Sequence, residues 1–65
     1  MKELDVLLTQ WLERDWPRAA EAERRAFEWL LEQPDAELAG WLLGGARPAN
    51  AVRAALVDDI VRRRA

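Results

Sequence analysis

Apolar residues recur with a helical period in the first half of the chain. In residues 3–14 they stand three or four positions apart and are Leu4, Leu7, Leu8, Trp11 and Leu12. Pro17 either ends this predicted helix or opens the next one, because proline is tolerated only in the first turn of a helix. A second stripe lies within residues 20–32 and consists of Glu23, Ala26, Phe27, Leu30 and Leu31. The first half therefore predicts two amphipathic helices.

Two further helical segments follow, separated by residues that favour turns. Pro34 breaks the chain, and Asp35 is predicted to cap a short helix whose inward side chains are Leu38, Trp41 and Leu42. The run from Gly44 to Pro48 is predicted to be a loop. Asn50 is then predicted to cap a last helix whose inward side chains are Val52, Leu56 and Ile60.

The whole pattern predicts an all-α fold, a compact bundle of four short helices forming one domain over residues 1–65. Polar and apolar residues do not alternate with period two over any useful length, and β-branched residues are few. Each apolar stripe covers one side of its helix, so the helices must bury these stripes against one another. We expect Phe27 and Trp41 at the centre of the core, with Trp11 in the core and Trp16 at its edge.

The residue inventory excludes most enzyme mechanisms. The 65 residues include no cysteine, histidine or tyrosine, and Thr9 carries the only side-chain hydroxyl. Disulfides, thiolate catalysis, cysteine-ligated zinc and histidine general bases are therefore impossible. We predict that the chain is not an enzyme.

Charge and hydropathy limit the partners. The net charge of −2 disfavours nucleic acid, because phosphate binding requires clustered lysine and arginine. No apolar run approaches the length of a membrane span, and the first residues do not resemble a signal peptide, so we expect a cytoplasmic protein that is not inserted in a membrane. The basic run Arg62–Arg64 is interpreted as a solvated helix end in which Asp58 pairs with Arg62, and Asp59 with Arg63, four positions apart.

Several residues allow both a structural and a functional interpretation. Glu23 lies in an apolar stripe, but as the third residue of its helix it is better explained as part of a capping box. Trp29 points away from Phe27, so it either anchors a partner protein or covers a neighbouring helix. Glu3 and Asp5 are acidic residues in a predicted first turn, where the helix dipole favours them.

The chain resembles the flavinator family, the small assembly factors of succinate dehydrogenase. The matching residues, in order along the chain, are Glu3-Leu4-Asp5, Glu23, Phe27, Leu30-Leu31, Asp35, Leu38, Trp41-Leu42, Pro48 and Ile60. The functional motif of that family is Arg-Gly-x-x-Glu, usually followed by Leu-Asp. This chain opens Met1-Lys2-Glu3, so it retains the glutamate, while the Arg-Gly pair would precede Met1. The start was therefore assigned too late, or the sequence was trimmed, or this is a diverged member.

The resemblance implies that the chain assists a reaction on another protein and does not carry out the reaction itself. Members of the family bind the flavoprotein subunit of succinate dehydrogenase, and often that of fumarate reductase, and promote covalent attachment of FAD to a histidine of that subunit. The factor itself is expected to hold no cofactor and no metal. By this resemblance the partner-binding residues here are Glu3 and Asp5, supported by Arg47. Trp29 is a further candidate, because of its position on the helix and not because of the resemblance. Without Arg-Gly we expect the chain to fold but to bind its client weakly.

Two alternatives remain open at the level of sequence. The chain could be a general helical interaction module that acts through Trp29, for example as a homodimer or as an antitoxin, a role also ascribed to some family members. A helical DNA-binding protein is disfavoured, because no helix is rich in basic residues. For the assembly factor we expect a monomer.

Overall fold

The first apolar stripe forms a helix, α1, over Lys2–Arg14 in the computed structural model, which describes residues 2–63. Acidic residues occupy its first turn and Arg14 its last, so both ends complement the helix dipole. A short 3-10 turn, Trp16–Arg18, follows and contains Pro17. Pro17 therefore lies in the connection between two helices rather than inside either one.

The second helix, α2, spans Glu21–Leu31 and begins with the predicted capping interaction. The backbone N–H of Ala20 donates a hydrogen bond to Oε1 of Glu23 at 3.0 Å. The side chain of Glu23 lies at the surface, outside the set of buried core residues. The capping interpretation of Glu23 is therefore confirmed, and the carboxylate is not buried in the apolar core.

The last two helices are α3, Asp35–Leu42, and α4, Ala51–Arg62. The prediction that Asp35 caps α3 was wrong: Pro34 takes the cap position with an extended backbone, and Asp35 is the first helical residue. The prediction for Asn50 is confirmed, because its side-chain oxygen accepts hydrogen bonds from the N–H groups of Val52 and Arg53. Between α3 and α4, Gly45 supplies a φ of +87° that favours glycine.

The helices pack into one all-α bundle, as predicted, with α2 against α4 as the most extensive pairing. All four contribute to a single core. Its buried members are Leu4, Leu7, Leu8, Trp11, Ala26, Phe27, Leu30, Leu38, Leu42, Leu56, Val57 and Ile60. The Cα radius of gyration is 10.6 Å, close to the value of about 11 Å expected for one compact domain of this length.

The centre of the core is aromatic. Trp11 and Phe27 are each 1% exposed, and their rings stack with centroids 4.5 Å apart. Trp16 meets both rings edge-on from the core edge, as predicted. The expectation that Trp41 is central was wrong, because α3 has only two turns and presents Leu38 and Leu42 to the core, leaving Trp41 on its flank.

Three residues assigned to inward stripes are exposed instead: Leu12, Leu31 and Val52. At 3.6 residues per turn, Leu12 lies about 80° around α1 from Leu4, at the edge of the buried face. Leu31 likewise lies at the edge of the buried face of α2. Val52 sits in the first turn of α4, on the surface beside α2. The stripes that the bundle buries are narrower than the sequence indicated.

The charged end of α4 differs in part from its prediction. Arg63 pairs with Asp59 at 3.0 Å, as expected for positions four apart. Arg62 also pairs with Asp59, three positions back, whereas Asp58 pairs with Arg47 of the preceding loop. The third arginine of the run, residue 64, lies outside the described residues.

Candidate partner-binding surface

Glu3 and Asp5, the carboxylates singled out from the sequence, both lie exposed in the first turn of α1. Backbone N–H groups without partners at this end of the helix favour negative charge there. Two positions along a helix correspond to about 200° around its axis, so the two carboxylates face different sides. They therefore do not form one shared site, and their role in partner binding stays a prediction.

Asp5 borders a shallow groove between α1 and α2. The remaining residues that line it are Leu8, Thr9, Leu12, Phe27 and Leu31. The groove is mostly apolar: Leu8 and Phe27 are buried beneath it, while Leu12 and Leu31 are 44% and 55% exposed. Sequence reasoning placed Leu12 and Leu31 in the core and so missed this groove. Their angular position at the edges of the two stripes is the signal that identifies it.

A second hollow adjoins this groove along α1. It is lined by Lys2, Asp5, Val6, Thr9 and Gln10, and shares Asp5 and Thr9 with the groove. Val6 is 47% exposed. We refer to the exposed residues Asp5, Val6, Thr9, Leu12 and Leu31 together as the Asp5 surface.

Trp29 is half-buried and covers its neighbouring helices. Its ring stacks on that of Trp41 from α3, with centroids 5.2 Å apart. The guanidinium of Arg53 from α4 lies over its ring at 4.0 Å from the centroid, a cation–π arrangement. The contacts of Trp29 thus favour the interpretation that it covers neighbouring helices, and its role in partner binding stays a prediction.

Arg47 lies in the loop that follows α3, and its side chain already makes contacts within the fold. Its guanidinium donates to the Asp58 carboxylate and to the backbone oxygens of Trp41 and Ala46, at 3.1 and 2.7 Å for the two oxygens. These contacts tie the loop to α4. Any contact of Arg47 with a partner would have to compete with them, and its binding role also stays a prediction.

The four predicted binding residues fall into two groups. Trp29 and Arg47 both contact Trp41, so they belong to one cluster between α2, α3 and α4. Glu3 and Asp5 lie at the start of α1. Over residues 2–63, no hydrogen bond or ion pair joins either carboxylate to Trp29 or Arg47.

A polar cleft that sequence reasoning did not identify lies where the ends of α1 and α4 meet. The indole N–H of Trp11 donates to the Asp59 carboxylate at 3.3 Å, and Arg63 joins Asp59 to Asp15 across the cleft. Oδ2 of Asp15 is buried without a hydrogen-bond partner, and Nε of Arg14 lies 3.9 Å from it. The sequence gives no signal for Asp15, because this carboxylate meets Arg63 only through the tertiary fold.

The surroundings of Asp59 change its acidity. Burial on its own would raise the pKa of Asp59, but hydrogen bonds from Arg63, Arg62 and the Trp11 indole, with the positive charge of Arg63, outweigh it. The pKa of Asp59 therefore lies below the ordinary value of 3.8. The same pairing raises the pKa of Arg63. The ion pairs of Arg63 with Asp59 and Asp15 thus connect the end of α4 to the residue that follows α1.

Two negative findings concern the part of the chain that the structure describes. No group of three or more carboxylate side chains there is placed to hold a metal ion. No helix among residues 2–63 is long and apolar enough to cross a membrane.

Comparison with known proteins gives a family match along nearly the whole chain. The model of the family described as the flavinator of succinate dehydrogenase matches residues 1–64. A protein named FAD assembly factor SdhE from Aliivibrio fischeri is 39% identical over 61 residues, which cover 94% of this chain and 71% of the relative. Proteins of the same name from Vibrio vulnificus and Vibrio parahaemolyticus are 39% and 41% identical over the same shares.

No solved structure gives a significant match. The family assignment therefore rests on sequence similarity. The family model spans the acidic start of α1 as well as the helices that form the core. This chain belongs to the family of flavinators of succinate dehydrogenase.

Proposed function

We propose that this chain is an assembly factor that binds the flavoprotein subunit of succinate dehydrogenase, or of fumarate reductase, and promotes covalent attachment of FAD to it. The observation that carries the proposal is the family match over residues 1–64. The relatives named FAD assembly factor SdhE support the same function.

The chain promotes this reaction without supplying chemical groups. With no histidine, cysteine or tyrosine, its possible general bases and nucleophiles are limited to carboxylates, Lys2 and Thr9. A factor that holds its client in the conformation where flavin and histidine meet lowers the entropic part of the barrier, which requires only a rigid binding surface. The proposed role is thus that of a chaperone, not an enzyme, and the chain holds no FAD of its own.

The surface proposed for the client begins at the first turn of α1. Glu3 and Asp5 are exposed and correspond to the acidic part of the family motif, so they are the proposed direct contacts. Trp29 and Arg47 are secondary candidates, because both already make contacts within the bundle. The cytoplasmic location and monomeric state expected from the sequence stay predictions.

A reconstitution tests the proposal. The purified apo flavoprotein subunit is incubated with FAD, with and without this chain, and covalent flavin is followed by its fluorescence on denaturing gels. We expect covalent flavin to form faster when the chain is present. The same rate in both reactions, together with no binding of the chain to the subunit, would refute the proposed function.

A further inference from the structure

The large apolar side chains that the bundle leaves exposed are concentrated beside one carboxylate. Val6, Leu12 and Leu31 line the two adjoining hollows that share Asp5 and Thr9. Exposed apolar residues grouped in this way are typical of protein interaction sites, whereas single ones are common and carry no meaning. Leu43 and Val52 are similarly exposed but line neither hollow.

Asp5 differs from three other aspartates in the part of the chain that the structure describes. Asp15, Asp58 and Asp59 each form an ion pair with an arginine. For Asp5, by contrast, no lysine or arginine among residues 2–63 forms an ion pair with its carboxylate. Asp5 lies exposed in the first turn of α1, where the helix dipole favours negative charge.

Exposed apolar side chains beside a carboxylate without an ion pair in the described part of the chain indicate the kind of partner segment that fits the Asp5 surface. A partner that covers Leu12 and Leu31 removes water from the groove, and a carboxylate without a counter-charge is costly to desolvate. The cost is offset when the partner brings a cation to Asp5. The net charge of −2 on this chain also favours a basic partner segment over a second copy of the same chain.

We propose that the Asp5 surface receives an apolar segment of the succinate dehydrogenase flavoprotein subunit that carries a lysine or arginine opposite Asp5. This inference rests on the proposed function and names the part of the chain that performs it. Leu12 and Leu31 supply the apolar contact, and Asp5 fixes the register of the segment through a charge-assisted hydrogen bond.

The apolar half of the proposal is tested by a pair of leucine variants. Leu31→Ser removes a 55% exposed side chain from the groove, and Leu43→Ser removes a 40% exposed one elsewhere. Affinity for the purified apo flavoprotein subunit is measured by biolayer interferometry. We expect Leu31→Ser to weaken binding roughly tenfold, as for a contact residue in the centre of an interface, and Leu43→Ser to leave it unchanged.

The charged half is tested by Asp5→Asn, with Glu37→Gln as its control. Both variants remove one carboxylate from the first turn of a helix, α1 or α3, so they lose a similar helix-dipole contribution. We expect Asp5→Asn to weaken binding roughly tenfold and to make the remaining affinity less sensitive to salt. Glu37→Gln should change neither quantity.

A photo-crosslinking amino acid at Thr9, between Asp5 and Leu12, identifies the occupant directly. We expect a crosslink to a flavoprotein peptide that combines apolar residues with a lysine or arginine. A crosslink only to a second copy of this chain would overturn the proposal in favour of a dimer. A crosslink to an acidic or uncharged client segment would overturn its charge assignment.

The outcomes separate this inference from the function on which it rests. If the wild-type chain binds the flavoprotein and both Leu31→Ser and Asp5→Asn bind equally well, the Asp5 surface is not the client site, while the proposed function stands. If the wild-type chain does not bind the flavoprotein at all, both proposals fail. Thermal melting of each variant separates loss of binding from loss of folding.

Discussion

Two stacked aromatic pairs in this small bundle have nearly the same geometry and different surroundings. Trp11 and Phe27 stack at 4.5 Å and are both 1% exposed, whereas Trp29 and Trp41 stack at 5.2 Å and are only partly buried. Each pair also meets a charged residue of α4. The Trp11 indole donates to Asp59, and the face of Trp29 carries Arg53.

The difference shows which aromatic contacts hold the fold. The inner pair, Trp11 and Phe27, is surrounded by side chains from the helices and removes a large apolar area from water. The outer pair, Trp29 and Trp41, covers the edges of α2 and α3 and remains partly open to solvent. The inner pair should therefore contribute most to the free energy of unfolding, and the outer pair should contribute less.

The largest effect is expected for Trp11→Ala. Removing a fully buried aromatic side chain costs about 3–5 kcal/mol, which is comparable to the whole stability of a domain of this size, roughly 3–5 kcal/mol. We expect the variant to be largely unfolded at room temperature by far-UV circular dichroism. A cooperative thermal transition within a few degrees of wild type would show that Trp11 is not central.

A smaller loss is expected for Trp41→Ala. The half-buried ring leaves fewer core atoms uncovered when it is removed, so we expect about 1–3 kcal/mol from urea unfolding. Truncation of Trp41 should also raise the solvent exposure of Trp29, seen as a red shift of tryptophan emission. A loss equal to that of Trp11→Ala would remove the distinction between the inner and the outer pair.

The hydrogen bond from Trp11 to Asp59 is one contact that makes the stability of the fold depend on pH. Because the pKa of Asp59 is lower in the folded protein than in the unfolded chain, the folded state binds fewer protons there. Its contribution is therefore present above pH 3.8 and is lost as the pH falls through the lower folded-state pKa. Urea unfolding measured on both sides of this range should show the loss.

Asp59→Asn isolates this contribution. The variant should be less stable than wild type near neutral pH and should lose less stability on acidification. Asp58→Asn, which removes the neighbouring carboxylate paired with Arg47, is the matched control. An identical acid dependence for wild type and Asp59→Asn would contradict the role given to Asp59.

The smallest loss of stability is expected on removal of the Arg53 guanidinium, which lies over Trp29 of the outer pair. Arg53→Gln removes the guanidinium that lies over Trp29 but keeps much of the side chain. Cation–π contacts at exposed sites contribute about 0.5–1 kcal/mol, so we expect a loss of that size in urea unfolding. In a Trp29→Leu background the same arginine substitution should have no effect, because no aromatic ring remains for the guanidinium to contact. An equal loss in both backgrounds would show that Arg53 acts through some other contact.

The four helices and two of the predicted caps follow directly from local sequence, whereas the cap predicted at Asp35 is taken by Pro34. Spacing predicts all four helices, and Asn50 and Glu23 make the capping contacts that their positions predict. These features depend on residues a few positions apart, so no tertiary information is needed to find them.

The sequence could not show which side of each stripe reaches the centre of the bundle. Leu12 and Leu31 lie at the edges of their stripes, and whether an edge position is buried depends on how the helices cross. The core centre was expected to contain Trp41 but contains Trp11, and this too depends on how the helices pack. The groove beside Asp5 and the pairing of Asp15 with Arg63 likewise require helices distant in sequence to meet.

The proposed function is tested most directly by covalent flavin fluorescence of the succinate dehydrogenase flavoprotein subunit in a bacterial host that lacks its own assembly factor. The host is complemented with this chain, or with a version extended upstream by the Arg-Gly pair of the family motif. We predict that fluorescence is restored, more strongly by the extended version. If neither version restores it although both accumulate as folded protein, the assembly function is contradicted.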